Sequence, residues 1–451
     1  MAEVQLRREL GLAAAVSIVV GTVIGSGIFL VPKAMVLQVG TPSLVFLVWV
    51  CGGLLSLAGA LTYAELSAML PEAGGEYIYL RTAYGPFWGF LYSWTQTWVA
   101  KSGSIATLAT GFFYYLANFR PELEDVLVHN RWIEIRTGQL LAIGVILALG
   151  VLNYFGVKAG GGVQVVVTVL KVALIAAIVV VGIFGGHLLT ANYATRTAAP
   201  GGFAGFFAAL VAALWAYDGW NNVSMVSSEI KRPQRNLPWA LIYGTLTVVA
   251  IYLLANVAYF GVLTATEVGQ SNRVAAEMMR RIWGEQGATA VSVAAMISIF
   301  AALNGSILSG ARVPYAAARD GLFFQAFRRV HPQHATPSVA ILALSLWACL
   351  LVLSGRYEQL LTLVIFPSWI LYGMATAAVV VLRKKRPDLP RPYLTIGYPV
   401  VPVLFVMVAV VLLMTTLINF PRESGLGLLI IVAGFPFYWR WNRAKKSLPA
   451  T

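Results

Sequence analysis

Twelve apolar runs, most of them near the ~20 residues that a helix needs to cross a bilayer, follow one another along this chain. They lie at about 11–38, 43–69, 86–117, 138–155, 162–186, 203–228, 239–262, 288–311, 337–354, 359–382, 399–420 and 425–439. Lipid offers no partner to an exposed backbone group, so runs of this kind close their own hydrogen bonds as helices. Charged residues make up 11% of the chain and hydrophobic ones 59%. Soluble domains carry ~25% charged residues, and disordered chains are poorer in apolar residues still, so both classes are excluded. The two cysteines, Cys51 and Cys349, sit inside runs, which argues against a disulfide framework or a cysteine metal site.

The net charge of +14 could suggest a polyanionic partner, but its placement says otherwise. With the N-terminus in the cytoplasm, the inner segments hold twenty Lys and Arg and the outer loops nine; Lys33, Lys101 and Lys171 remain in or against the runs. That asymmetry is the positive-inside rule, and it places both termini in the cytoplasm. No basic face on a soluble domain is present, so no nucleic acid partner is expected. Arg7 and Arg8 precede a first run too long for a cleaved signal, which is read as a retained helix.

No linker divides residues 1–451, which are read as a single transmembrane domain. Residues 263–287, with Val274, Met278 and Ile282, predict a short amphipathic helix over the outer mouth. Residues 313–330, with Tyr315, Leu322, Phe323 and Phe327, predict an interfacial helix on the inner side. Gly52, Ser56, Ala60 and Ala64 recur at i+4 and let a neighbouring helix come close.

Two runs are broken in the middle. The first reads Gly-Thr-Val-Ile-Gly-Ser-Gly-Ile-Phe over 21–29, and the sixth reads Leu-Trp-Ala-Tyr-Asp-Gly-Trp-Asn-Asn over 214–222. Loosened backbone at bilayer depth is tolerated where it lines a cavity or is buried in protein. Runs one and six are equivalent positions of two five-helix units of opposite topology, about 11–186 and 203–382, with two added helices at 399–439. Unwinding frees N–H groups at the start of a second half-helix and carbonyls at the end of the first. The amides, at the positive end of the half-helix dipole, favour a carboxylate; the carbonyls favour an ammonium. A zwitterionic amino acid matches both. The amides around Ser26, Gly27 and Ile28 are therefore assigned to its carboxylate, and carbonyls near Val23, Ile24, Trp215, Ala216 and Asp218 to its ammonium; Gly25 between them is counted with the substrate-binding residues.

Four runs in order (GTVIGSGIF, LWAYDGWNN, SSEIKRPQRNLPWA and NGSILSGARVPYAAARDG) resemble the L-type amino acid transporters of the amino acid–polyamine–organocation superfamily, over about residues 10–395. The resemblance implies an all-α membrane protein with the five-plus-five inverted repeat and two added helices. It also implies sodium-independent uptake or exchange of amino acids by alternating access. By motif match, Trp215 falls at an aromatic gate, Asn221 at the asparagine after Gly-Trp, and Ser368 at a polar position of the tenth run. The match places Lys171 of the fifth run near the first break and the eighth run, where Ser306 and Ser309 offer hydroxyls. An ammonium bonded to the Gly25 carbonyl and Ser306 would take the place of the cation of sodium-coupled relatives. Lys101 falls where the family has arginine and is read as bonding helix to helix. Asp218 departs from neutral-substrate relatives and stays open: a partner for a cationic substrate side chain, a cap or partner for Lys101, or a proton carrier. Glu229, followed by Lys231, Arg232 and Arg235, is read as closing an inner gate or as part of a solvated cluster; Glu65 is similarly open.

Mammalian members of the family are joined to a heavy chain through a cysteine between runs three and four. Residues 118–136 contain none, so no disulfide-linked partner is expected. The histidines fall in predicted loops, and no catalytic cluster, metal or cofactor is expected. The expected partners are an amino acid and the lipid of a cell membrane, with the chain a monomer or weak homo-oligomer. A cationic amino acid or polyamine antiporter, a proton-coupled symporter and a non-transporting sensor remain as alternatives.

Overall fold

The structure is a computed structural model and describes residues 6–129, 134–185, 189–354, 357–419 and 421–446. It is helical almost throughout. Seven helices are long and apolar enough to cross a membrane, and an eighth span is formed if the bent pair Leu12–Val23 and Gly27–Val39 counts as one. The remaining expected spans are interrupted or short. Run three is carried by Pro86–Thr95 and Lys101–Leu116 with a π turn, Gln96–Ala100, between them. The sixth stops at Gly202–Ala216, and the ninth is Ser338–Ser354. Run twelve, expected as one helix over 425–439, is divided at Gly434 into Pro421–Ala433 and Phe435–Lys446.

The first break follows from its sequence. Gly25 is a weak helix former beside the β-branched Val23 and Ile24, and the helix lapses over 24–26. The Leu12–Val23 helix ends with Ile24 at ψ 89°, and the chain restarts at Gly27 after a 41° bend. In the sixth run the helix that began at Gly202 stops at Ala216, and Gly219, at φ +109°, a conformation that side-chain-bearing residues rarely adopt, turns the chain within the break. The Leu12–Val23 helix is enclosed by Val157–Val180, Pro233–Val262 and Val274–Gly310, which places the first break at the centre of the bundle. The small-residue stripe packs as expected: a Cβ on Gly52 would stand 3.2 Å from Ala213 and Tyr217.

Two connections depart from expectation. Residues 118–137 contain a short antiparallel hairpin, Val126–His129 with Glu134–Arg136, that no sequence signal marks. Residues 313–330 form the helix Arg312–Arg319, a turn at Gly321 with φ +72°, and a 3₁₀ turn at Gln325–Arg328. Tyr315, Leu322, Phe323 and Phe327 are all buried in protein, so this segment is packed under the bundle rather than lying in the interface.

The expected outer helix is present and is longer than predicted. Val274 starts a helix that kinks at Trp283 and Gly284 and continues to Gly310. Before it, Thr264 and Glu267 form a capping box around Ala265–Gln270. The Arg281 guanidinium beside Glu267 holds its carboxyl down at about 2. A carboxyl depressed in the folded state contributes stability above its unfolded pKa and loses it as pH falls through the folded value. Glu267→Gln is therefore expected to flatten the melting-temperature curve between about pH 4.5 and 2; a variant curve parallel to wild type contradicts this.

Candidate functional site

The two breaks are bonded to each other. Thr22 Oγ1 lies 2.6 Å from the Ile18 carbonyl of its own helix and 2.9 Å from the Gly219 carbonyl, sharing its one hydrogen between them. The Tyr252 hydroxyl lies 3.0 Å from the Val23 carbonyl and 2.8 Å from the Ala216 carbonyl, sharing its hydrogen between the two breaks. Gly27 opens the second half of the first span directly against Ala216: a Cβ there would meet Ala216 Cα and Cβ at 2.7 Å. Ser26, Gly27, Ile28, Trp215, Ala216 and Asn221 are all buried, as is Ser368 of Tyr357–Lys385. The amides of Gly27 and Ile28 belong to a first helical turn, which has no intrahelical acceptor for them.

Lys171 is fully buried, and its ammonium lies 2.7 Å from the Gly21 carbonyl and 3.2 Å from the Ser298 carbonyl, with a third bond to the Ile24 carbonyl. Ser298 Oγ also donates to Ile24, at 3.0 Å. The expected partners are thus corrected: Lys171 meets Gly21, Ile24 and Ser298, not the Gly25 carbonyl and Ser306. Ser306 lies two turns, about 12 Å, beyond Ser298 along one helix, and Ser309 is farther still. Ser309 instead donates to the Gly305 carbonyl at 2.8 Å. The Ile24 carbonyl, assigned by sequence to a substrate ammonium, is already an acceptor for two groups, and Val23 and Ala216 share Tyr252.

A second buried cluster lies under the sixth break. Lys101 Nζ donates to Asn222 Oδ1 at 2.7 Å, so it does bond helix to helix, but its hydrogen-bond partner is Asn222 rather than Asp218. Asp218 Oδ1 accepts from the Tyr372 hydroxyl at 3.0 Å. Asn221 Nδ2 donates to Glu76 Oε1, and Tyr92 donates to Glu76 Oε2 at 2.7 Å. Sequence reasoning missed Glu76 and Tyr252. Glu76 stands in the connection between the second and third runs, and only its neighbours Gly74 and Gly75 hint that the chain there turns back into the bundle. Tyr252 is one aromatic among many in an apolar run.

Glu229 is fully buried, and its carboxylate accepts two bonds from Arg312, at 2.8 and 3.1 Å. Its partner is therefore not among Lys231, Arg232 and Arg235, which are exposed. The adjoining Ile230 forms a parallel bridge with Leu10, whose amide donates to the Glu229 carbonyl at 3.0 Å. Glu65 accepts from both Arg383, at 2.9 and 2.7 Å, and Thr395. Cys51 and Cys349 are free, and among the described residues no group of three or more His, Cys, Asp or Glu could hold a metal ion.

A bundle of apolar helices with a break bonded to a second break, and charged groups kept at depth by specific partners, defines a multi-pass membrane permease. The amino acid permease family matches residues 10–436, and the chain belongs to it. It is 36% identical to the serine/threonine exchanger SteT of Bacillus subtilis over 451 residues, covering 98% of each chain. It is 33% identical to the human b(0,+)-type amino acid transporter 1, over 96% of this chain and 88% of that protein. With the human cystine/glutamate transporter the identity is 30%, over 97% and 86%. Amino acid transport is the activity these relatives share.

Proposed function

We propose that the chain exchanges L-amino acids across a cell membrane without sodium, by alternating access, with the substrate's backbone atoms held at the two breaks. The observation that carries the reading is the pairing of Gly27 with Ala216: the amides that open the second half of the first span face the end of the first half of the sixth. There a carboxylate meets the positive end of a half-helix. The carbonyls of the sixth break, with Trp215 above them, receive the ammonium on their second lone pairs, since those of Trp215 and Ala216 each accept a bond already. Lys171 stands in for a coupling cation by fixing the carbonyls around the first break. Twelve spans in a five-plus-five inverted repeat with two added helices, and both termini in the cytoplasm, complete the reading. On that orientation the Glu229–Arg312 pair and the Leu10–Ile230 bridge close the cytoplasmic side. Neutral amino acids are the proposed substrates, consistent with the serine and threonine in the name of one relative; no disulfide-linked partner is required.

Asp218 favours a second reading of specificity. It is partly exposed within the break and held by Tyr372, as a partner for a lysine or arginine side chain would be. If Asp218→Gly leaves competition by lysine unchanged, that reading fails.

Binding is tested by thermal shift in the presence of each of the twenty amino acids, since a ligand selective for the folded state stabilises it by about 2.7 kcal/mol at a hundredfold excess over Kd. Gly27→Ala is expected to abolish the shift, because its Cβ would force the two breaks apart. A shift of wild-type size in that variant contradicts the pocket.

A further inference from the structure

We propose that Glu76 is the proton-exchanging group of the transport site, protonated while the site holds a neutral amino acid and ionised when a cationic side chain enters. The proposal rests on the reading of the chain as an amino acid exchanger and deepens it. Glu76 is the first residue of the Glu76–Tyr84 helix and is fully buried, yet it is one hydrogen bond from the sixth break through Asn221. Nothing in the substrate contacts described above uses it.

Two observations point to a proton. The first is charge. The cluster under the sixth break holds two carboxyls, Glu76 and Asp218, and one ammonium, Lys101, which feels both. With all three ionised the site carries one negative charge too many; Asp218 is partly exposed, but Glu76 is fully shut from water, where an uncompensated charge is strongly disfavoured. Either a proton or a cationic side chain supplies the balance. The other groups facing Glu76 are Tyr63 of Pro42–Met69, Tyr79 of its own helix, Tyr92 of Pro86–Thr95 and Tyr372 of Tyr357–Lys385, which are neutral and add no charge.

The second is an unmet acceptor. Asn221 is fully buried, and its Oδ1 accepts no hydrogen bond while its Nδ2 bonds Glu76; the Tyr372 hydroxyl beside the same amide gives its hydrogen to Asp218. Turning the amide over places Oδ1 against Glu76 Oε1, and only a protonated carboxyl has a hydrogen to give it. The pair can therefore be held with the hydrogen on either side. Entry of a cationic side chain releases the Glu76 proton to the water that reaches the open site, so that the site's net charge is unchanged.

The test uses the full-length protein in proteoliposomes preloaded with L-serine, reading uptake of labelled L-serine and its inhibition by L-lysine from pH 5.5 to 8. In wild type the lysine-to-serine affinity ratio is expected to rise with pH, by up to about tenfold per unit for a single exchanged proton. Glu76→Gln is expected to lower that ratio at least tenfold at pH 8 and to make it independent of pH. Tyr92→Phe removes a bond that favours the ionised carboxyl, and is expected to move the midpoint to higher pH. A flat wild-type ratio overturns the proposal, as does a Glu76→Gln ratio with the wild-type slope, which would move the proton to Asp218. Should Glu76→Gln not fold, an unmoved midpoint in Tyr92→Phe overturns it. Failure of the transport reading itself is distinct: wild type would then take up no L-serine at any pH.

Discussion

Lys171→Ala is expected to reduce exchange by about a hundredfold or more while the protein still inserts into the membrane. The ammonium bonds three carbonyls on two helices, and two of those, Gly21 and Ile24, flank the first break. Removing it leaves the Gly21 carbonyl unmet, while Ile24 keeps Ser298 Oγ and Ser298 keeps its helical bond; each lost bond to the charged ammonium is worth about 1.5–3 kcal/mol. Loss of even two such bonds reaches the ~2.8 kcal/mol that corresponds to a hundredfold. The loss falls on the geometry of the break, so binding by thermal shift and exchange should fail together. Insertion itself becomes easier, because a lysine at depth costs about 2.5–3.5 kcal/mol on insertion scales. Propylammonium added to the variant replaces the missing donor and should restore part of the exchange. A Lys171→Ala protein with wild-type exchange would show that the lysine is dispensable to the site.

Arg312→Ala is expected to be the most destabilising single change described here. Both members of the Arg312–Glu229 pair are completely buried, and Arg312 also donates to the Leu308 carbonyl at 2.5 Å. Deleting one partner leaves an uncompensated charge in protein, at about 3–5 kcal/mol. Replacing both, as in Arg312→Met with Glu229→Leu, removes the charge and is expected to recover most of the thermal stability. If the pair also closes one face of the bundle, the double variant should fold yet leave that face open. A cysteine introduced at Ser227, beside the pair, would then react with a membrane-impermeant thiol reagent from that face far faster than the same cysteine in the protein with the pair intact. A double variant as unstable as Arg312→Ala would contradict the account of the pair.

Periodic features were readable from sequence, and features made by tertiary contact were not. Long apolar runs and glycines at 25, 27 and 219 announced both breaks, because lipid leaves backbone few options. Lys171 and Lys101 stood out for the same reason: a charge in an apolar run must have partners. Which partners was not legible. Lys171 reaches Ser298 rather than Ser306 because helix rotation decides which hydroxyls and carbonyls face inward, and eight residues of spacing carry no such information. Glu229 read equally as a gate residue or as part of a solvated cluster with Lys231, Arg232 and Arg235, yet its partner lies 83 positions away. Glu76 was missed because an acid in a loop is ordinarily exposed; only the fold returns that loop to the centre of the bundle. Tyr315 and Phe323 read as an interfacial face because amphipathic spacing does not distinguish a lipid surface from a protein one.

The central claim is sodium-independent exchange at the two breaks. It is tested most directly by uptake of labelled L-serine into proteoliposomes of purified protein, with or without unlabelled L-serine inside, and with sodium or choline as the outer cation. The account predicts uptake that requires internal amino acid and is equal in the two cations. Uptake that appears only with sodium, or that proceeds equally into empty vesicles, would contradict it.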